Sequence, residues 1–168
     1  VEACRSAGVA KIGQQSIGWV AASGTDEWTD EDHVYHPSGD SISGKAIAAA
    51  LTMEGTIKSS ALDWLILRGG LFYGPGTGFD DGWYARAQAG KLRLPGDGSE
   101  YVSLVHIADM AAATVKAVQR WPSRSVLTVC DAEPVQWREL FGFICESIGA
   151  KAPEAGGPLG FPSFRLKN

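Results

Sequence analysis

Two apolar runs without alternation constrain the fold most. "DWLILR", Asp63–Arg68, and "SVLTVC", Ser125–Cys130, put apolar side chains at successive positions. A strand carries such a run when both faces of its sheet are covered. Between and around these runs the period changes to that of helices. Ile42, Ala46, Ala49, Met53 and Ile57 recur at helical spacing, and Trp137, Leu140, Phe141, Ile144, Cys145 and Ile148 form an apolar stripe. Pro134 marks the start of that last helix and Gly149 its end. Further helices are expected near Trp83–Ala89 and Asp109–Gln119, and a first strand within Lys11–Val20. Strands separated by helices imply an α/β protein with a parallel sheet and crossover helices.

Composition narrows the partners. The chain has 168 residues, 45% of them hydrophobic, enough for one core or a large piece of one. A net charge of -4 gives no electrostatic support for nucleic-acid binding. No basic cluster suits an anionic membrane surface. No apolar run approaches the ~20 residues that span a bilayer, and the first residues lack the apolar core of a signal peptide. Cys4, Cys130 and Cys145 are odd in number and far apart, with no CxxC pair. Buried thiols in a cytoplasmic setting are the expectation. The chain opens with Val1 and ends at "FPSFRLKN", which reads as a piece of a longer protein. Gly24–Gly39 is acidic and aperiodic, so a surface excursion is expected there, with "TDEWTDEDH" solvated.

The stretch "LRGGLFYGPGTGF", Leu67–Phe79, raises the question of a phosphate cradle. A dinucleotide fingerprint needs GxGxxG between strand and helix. Counting from Gly74 and Gly76, the third position is Phe79; counting from Gly76 and Gly78, it is Asp81. No GK[ST] follows either. The glycines then serve tight turns beside a strand end, or line a cavity without gripping a phosphate.

Four segments occur in a telling order: "SGK" at Ser43–Lys45, "LILRGGLFYGPG", "PGDGSEYVSLVHIADMAAATVKAV" and "VLTVCDAEPVQWRELFGFICESIGAKAP". Together they resemble the second half of an extended short-chain dehydrogenase/reductase of the NAD-dependent epimerase/dehydratase group. The resemblance implies a partial Rossmann-like parallel sheet with flanking helices and a small C-terminal substrate lobe. Residues 1–90 would be the latter half of the Rossmann-like domain, and 91–168 mostly substrate lobe with a returning strand. The family's GxxGxxG loop would precede the region matched. NAD or NADP is the implied cofactor, which this chain alone would not necessarily bind. By the same resemblance Gly70, Tyr73 and Gly74 lie near the nicotinamide end of the cofactor.

Family chemistry uses Tyr-x-x-x-Lys on one helix face, where the lysine lowers the phenol pKa from ~10. Lys45 matches the lysine, but Ser41 stands at the tyrosine position. Ser41 is either a weak stand-in or a helix N-cap, and Lys45 either a site residue or a solvated lysine. Ser16 lies near the family's strand-end serine, with Ile17 as the neighbouring frame, and a buried structural serine is the alternative. Tyr35 and Tyr73 are candidate surrogate acids, against aromatic packing. Asp109 matches a family aspartate and is expected to cap a helix. Many nucleotide-sugar members carry an Arg-Asp-Phe run where this chain has Val102, Ser103 and Leu104, so a phosphate clamp is missing. His33 and His36 form an HxxH beside Glu31 and Asp32 without a third positioned ligand, and the expectation is no metal. His106 is expected to pack.

Two functions follow as expectations. One is an atypical NAD(P)-dependent epimerase/dehydratase or reductase-like protein acting on a small molecule, with Lys45, Ser16 and Ser41 as catalytic candidates and an incomplete cofactor site. The other is a non-catalytic interaction module on the same scaffold. The Ser41–Lys58 helix, rich in small residues, is the expected contact for a homodimer.

Overall fold

The computed structural model describes residues 1–37, 41–78, 82–158, 160 and 162–167. Ser38 and Gly39, at the end of the expected surface excursion, lie outside the described residues. A short helix α1 (Glu2–Ser6) leads into β1 (Lys11–Ile17), a 3-10 turn at Gly18–Ala21 and β2 (Trp28–Thr29). Helix α2 (Ile42–Lys58), β3 (Asp63–Gly69), β4 (Leu71–Tyr73) and α3 (Tyr84–Gln88) follow. Then come β5 (Arg93–Pro95), β6 (Tyr101–Val102), β7 (Leu104–His106), α4 (Ile107–Arg120) and β8 (Ser125–Val129). The chain finishes with β9 (Val135–Gln136), α5 (Trp137–Ser147), β10 (Glu154–Gly157) and β11 (Arg165–Leu166).

The central sheet is β1-β3-β8, parallel throughout, with Lys11 opposite Asp63 and Leu65 opposite Ser125. Helix α2 makes the first crossover and packs on β1, β3 and the 3-10 turn. Four two-stranded pairs surround the sheet: β4-β7, β5-β10 and β2-β11 are parallel, and β6-β9 is antiparallel. The expected α/β class and parallel sheet are what the structure has. β8 is half-buried along its length rather than fully buried, because only β3 pairs with it among the described residues.

Two apolar clusters hold these layers. Leu65 and Leu67 of β3 meet Val105, Met110 and Ala117, so α4 covers one side. The larger cluster joins Trp19, Val20, Ile47, Leu104, Trp137, Phe141, Ile144 and Phe164, with Leu71, Tyr73 and Trp83 packed against it. Cys130 and Cys145 are buried thiols, as expected, and burial together with the charges of Asp131 and Glu31 pushes Cys130 up to about 11.

Several local expectations need correction. α2 buries Ser43, Gly44, Ile47, Glu54 and Ile57, while Ile42 is 88% exposed. The buried stripe is rotated from the apolar one because Glu54 turns inward to meet Arg68 of β3. Arg68 Nε and Nη2 donate to Glu54 at 3.0 and 2.8 Å, and both side chains are almost fully buried. α5 starts at Trp137, three residues after Pro134, because Gln136 and Glu139 form a capping box. Pro134 instead precedes β9. The acidic excursion is tied down rather than freely solvated. Its Thr29 is buried, its Glu31 carbonyl accepts from Arg68 Nη1 at 2.9 Å, and its Glu31 Oε1 accepts from the Thr128 amide at 2.7 Å.

Candidate functional site

The glycine loop begins where β3 hands over to β4. Gly70 donates its amide to Val129 and Leu71 donates to Ser103. A Cβ on Gly70 would lie 2.6 Å from the Ser103 carbonyl oxygen, so only glycine lets β4 pass β7 this closely. Gly74 has φ +116, and a Cβ there would stand 2.7 Å from His106 Nε2. These two glycines are filled in by the chain's own backbone and an imidazole. They form no vacant cradle at these two positions. Gly76 has φ +79 but faces open space.

Tyr73 sits between those glycines and the core. Its ring meets His106 edge-on at 5.1 Å. Desolvation first, then a hydrogen bond to the Asp131 carboxylate and the charges of Asp131 and Asp109, raise its pKa above the usual 10.0. At neutral pH Tyr73 is a neutral phenol donating to Asp131. His106, not Asp109, caps α4: His106 Nδ1 accepts from the Ala108 amide at 3.2 Å. Asp109 is the acidic residue of the first turn, placed to favour the helix dipole.

The other candidates sit on α2 and β1. Ser41 caps α2, accepting from the Gly44 amide at 3.0 Å and bonding Ser43 Oγ at 3.1 Å. Lys45 follows one turn later on the exposed surface. Its helix reaches the larger cluster through Ile47, the cluster that Tyr73 also borders. Ser16 is 3% exposed and pairs in register with Arg68. Its hydroxyl favours the charged form of Glu54, although it makes no hydrogen bond of standard geometry. The structure therefore groups Ser16 with the Glu54–Arg68 pair, and Gly70, Tyr73 and Gly74 with His106. Tyr35 packs against the larger cluster and over Gly24, with its amide donating to Val20. His33 and His36 are exposed, and no cluster of metal-ligating side chains occurs among the described residues.

Two cavities of about 580 Å³ each adjoin this region. One is lined by Tyr73, Gly74, Tyr84, Leu104, Glu139 and Phe143. The other has Trp19, Leu71, Trp83, Trp137 and Phe141 on its apolar side, and Arg86 and Lys91 at its rim. The sequence reading missed this second cavity. Trp83 and Trp137 are far apart in the chain and meet only in the fold, at 5.7 Å and 79°; the six tryptophans were the visible signal.

Comparison with known proteins decides the family. The profile of the NAD dependent epimerase/dehydratase family matches residues 1–129. The chain belongs to this family. A 3-diazoavenalumate denitrifying reductase of a Streptomyces species is 36% identical over 156 residues, covering 91% of this chain and 51% of that protein. A dTDP-4-dehydro-6-deoxy-D-allose reductase of a Streptomyces species is 32% identical over 114 residues, covering 60% of this chain and 34% of that protein. The chain thus spans about half the length of the first of these curated relatives and about a third of the second. Among solved structures, DesIV, a dTDP-glucose 4,6-dehydratase from Streptomyces venezuelae with NAD and TYD bound, superimposes with a TM-score of 0.80 at 19% identity. That match covers 99% of this chain and 54% of DesIV. MoeE5 in complex with UDP-glucuronic acid and NAD gives 0.77 at 23% identity, covering 99% and 57%. These two establish the Rossmann-type epimerase/dehydratase fold.

Proposed function

We propose that this chain is the substrate-facing half of an NAD(P)-dependent reductase for a small molecule, and that the cofactor's diphosphate is gripped by residues outside it. The observation that carries the reading is a ligand-sized cavity walled by Trp19, Leu71, Trp83 and Trp137, close to a glycine loop whose tight positions are filled by its own chain. Family membership and two relatives named as reductases support it. The nicotinamide, when bound, would supply hydride. Within the chain, Lys45 is the positioning cation, Ser41 organises the turn that carries it, and Tyr73 presents a neutral hydroxyl beside Gly70 and Gly74. Ser16 supports the buried Glu54–Arg68 pair that fixes α2 on the sheet, rather than the reacting atoms. A second copy of the chain is proposed to pack on α2, whose outward face presents Ile42 with the small side chains of Ala46 and Ala49; light scattering should return a dimer mass.

The test is titration of NADH and NADPH against this chain and against the natural polypeptide including whatever is encoded upstream of Val1. A strand followed by GxxGxxG upstream and saturable binding only by the longer protein support the reading. A second reading, a non-catalytic interaction module, is favoured by one observation: the position of the family's tyrosine is held by Ser41, whose oxygen is engaged in capping. A longer protein that binds neither nucleotide would select it.

A further inference from the structure

Resting on the reductase reading, the walls of the tryptophan cavity indicate the class of substrate. Trp83, Trp137 and Phe141 form a closed edge-to-face trio, with centroids 5.0 to 5.7 Å apart. Trp137 and Phe141 are 7% and 4% exposed, so α5 holds them fixed, and Trp19 closes the wall from the 3-10 turn after β1. Such a wall suits a flat apolar ring, which gains both burial and offset or edge contacts.

The rim carries charge of one sign. Arg86, Lys91 and Arg93 line the opening. Arg93 is engaged: Nη1 donates to the Gly90 and Leu92 carbonyls at 3.1 and 3.2 Å, and Nη2 lies 3.8 Å from Glu154. Glu154 is itself paired with Lys151 at 2.7 Å. Among the described residues the side chains of Arg86 and Lys91 have no hydrogen-bond or ion-pair partner, although their backbones are bonded to each other at 2.7 Å, which leaves two cations for a ligand anion. Ser103, between β6 and β7, offers no third polar anchor. Ser103 is fully buried, and its Oγ accepts from the Leu166 amide at 3.0 Å and donates to the Phe164 carbonyl at 3.4 Å. That position ties the C-terminal strand to the core, so a diphosphate finds no buried bidentate partner there.

We infer that this cavity binds a planar aromatic carboxylate, with the ring against Trp83, Trp137 and Phe141 and the carboxylate between Arg86 and Lys91, in preference to a nucleotide diphosphate sugar. Isothermal titration calorimetry on the 168-residue chain tests this without any cofactor. The probes are trans-cinnamate, its neutral amide and UDP-glucose. Cinnamate should bind saturably, the amide about tenfold more weakly, and UDP-glucose more weakly still, since charge-assisted contacts carry the difference. Arg86→Ala combined with Lys91→Ala should bring cinnamate down to the affinity of the amide, with an unchanged circular-dichroism melt. Should that variant fail to fold, raising the salt on the unmodified chain gives the same answer: cinnamate weakens and the amide does not. Equal binding of acid and amide, tighter binding of UDP-glucose, or no saturation with cinnamate would overturn the inference. Because no nucleotide cofactor enters the assay, its failure stays separate from failure of the reductase reading, which nicotinamide titration of the longer protein decides.

Discussion

Replacing Glu54 of α2 with glutamine should strongly destabilise the packing of that helix on β3. The side chain keeps its shape and loses its charge. Arg68, 1% exposed, would then be a buried guanidinium with its Nε and Nη2 facing a neutral amide. Removing one partner of a buried pair costs about 3–5 kcal/mol, because the other charge stays desolvated. Lys58, which also reaches Glu54 at 3.0 Å, is 37% exposed and recovers hydration, so it adds little. For a domain of this size about 3–5 kcal/mol corresponds to a melting temperature lower by roughly 6–20 °C. Urea unfolding followed by circular dichroism measures it. The double change Glu54→Leu with Arg68→Met should be milder than Glu54→Gln, since both charges leave together. Acid gives an independent arm. Burial opposes ionisation of Glu54, but the hydrogen bonds and charge of Arg68, with Ser16 and Lys58, hold its pKa below the usual 4.5. A depressed folded-state pKa means the stabilisation is full above about 4.5 and fades as the pH falls through the folded value. The difference between the parent and Glu54→Gln should therefore shrink in acid. A loss under about 1 kcal/mol at pH 7, below what removal of a buried partner costs, would refute the reasoning.

Three further outcomes follow. Gly70→Ala and Gly74→Ala should each cost about 2–3 kcal/mol or prevent folding, whereas Gly76→Ala, strained in φ but facing open space, should cost about 1 kcal/mol; thermal melts rank them. The Tyr73 phenolate should appear above pH 10.0 in ultraviolet titration, and Tyr73→Phe should remove that step; because the folded-state value is raised, this group's stabilisation is lost as pH rises through it. In a longer, active protein Lys45→Ala should lower turnover by about two orders of magnitude or more with the melt unchanged, and Ser16→Ala should lower stability rather than turnover. Equal turnover for Lys45→Ala and the parent would make Lys45 a surface residue.

The sheet was legible because its strands announce themselves locally. Asp63–Arg68 and Ser125–Cys130 are apolar without alternation, and each was found within one residue of its observed bounds. The stripe on α5 was legible for the same reason: a strict helical period with glycine at the end. The face of α2 was not, because burial of Glu54 is a pairing with a side chain 14 positions away, and a charged residue reads locally as solvent-facing. The acidic excursion misled in the same way, since its anchors are the guanidinium of Arg68 and the amide of Thr128. In the candidate site, the glycines showed that close approaches occur, but not what approaches. The fold supplies His106 and the Ser103 carbonyl. The tryptophan wall combines residues from the 3-10 turn, the start of α3 and α5, and no local pattern could join them.

Titration of nicotinamide cofactor against a protein that carries this chain together with whatever is encoded upstream of Val1, beside the chain alone, tests the central claim most directly. Saturable NADH or NADPH binding by that protein, weak or no binding by residues 1–168 alone, and cofactor oxidation that fails with Lys45→Ala are the predicted results. Tight, saturable binding by the 168-residue chain alone, or no binding by the longer protein, would contradict the assignment of this chain as the substrate-facing half of a reductase.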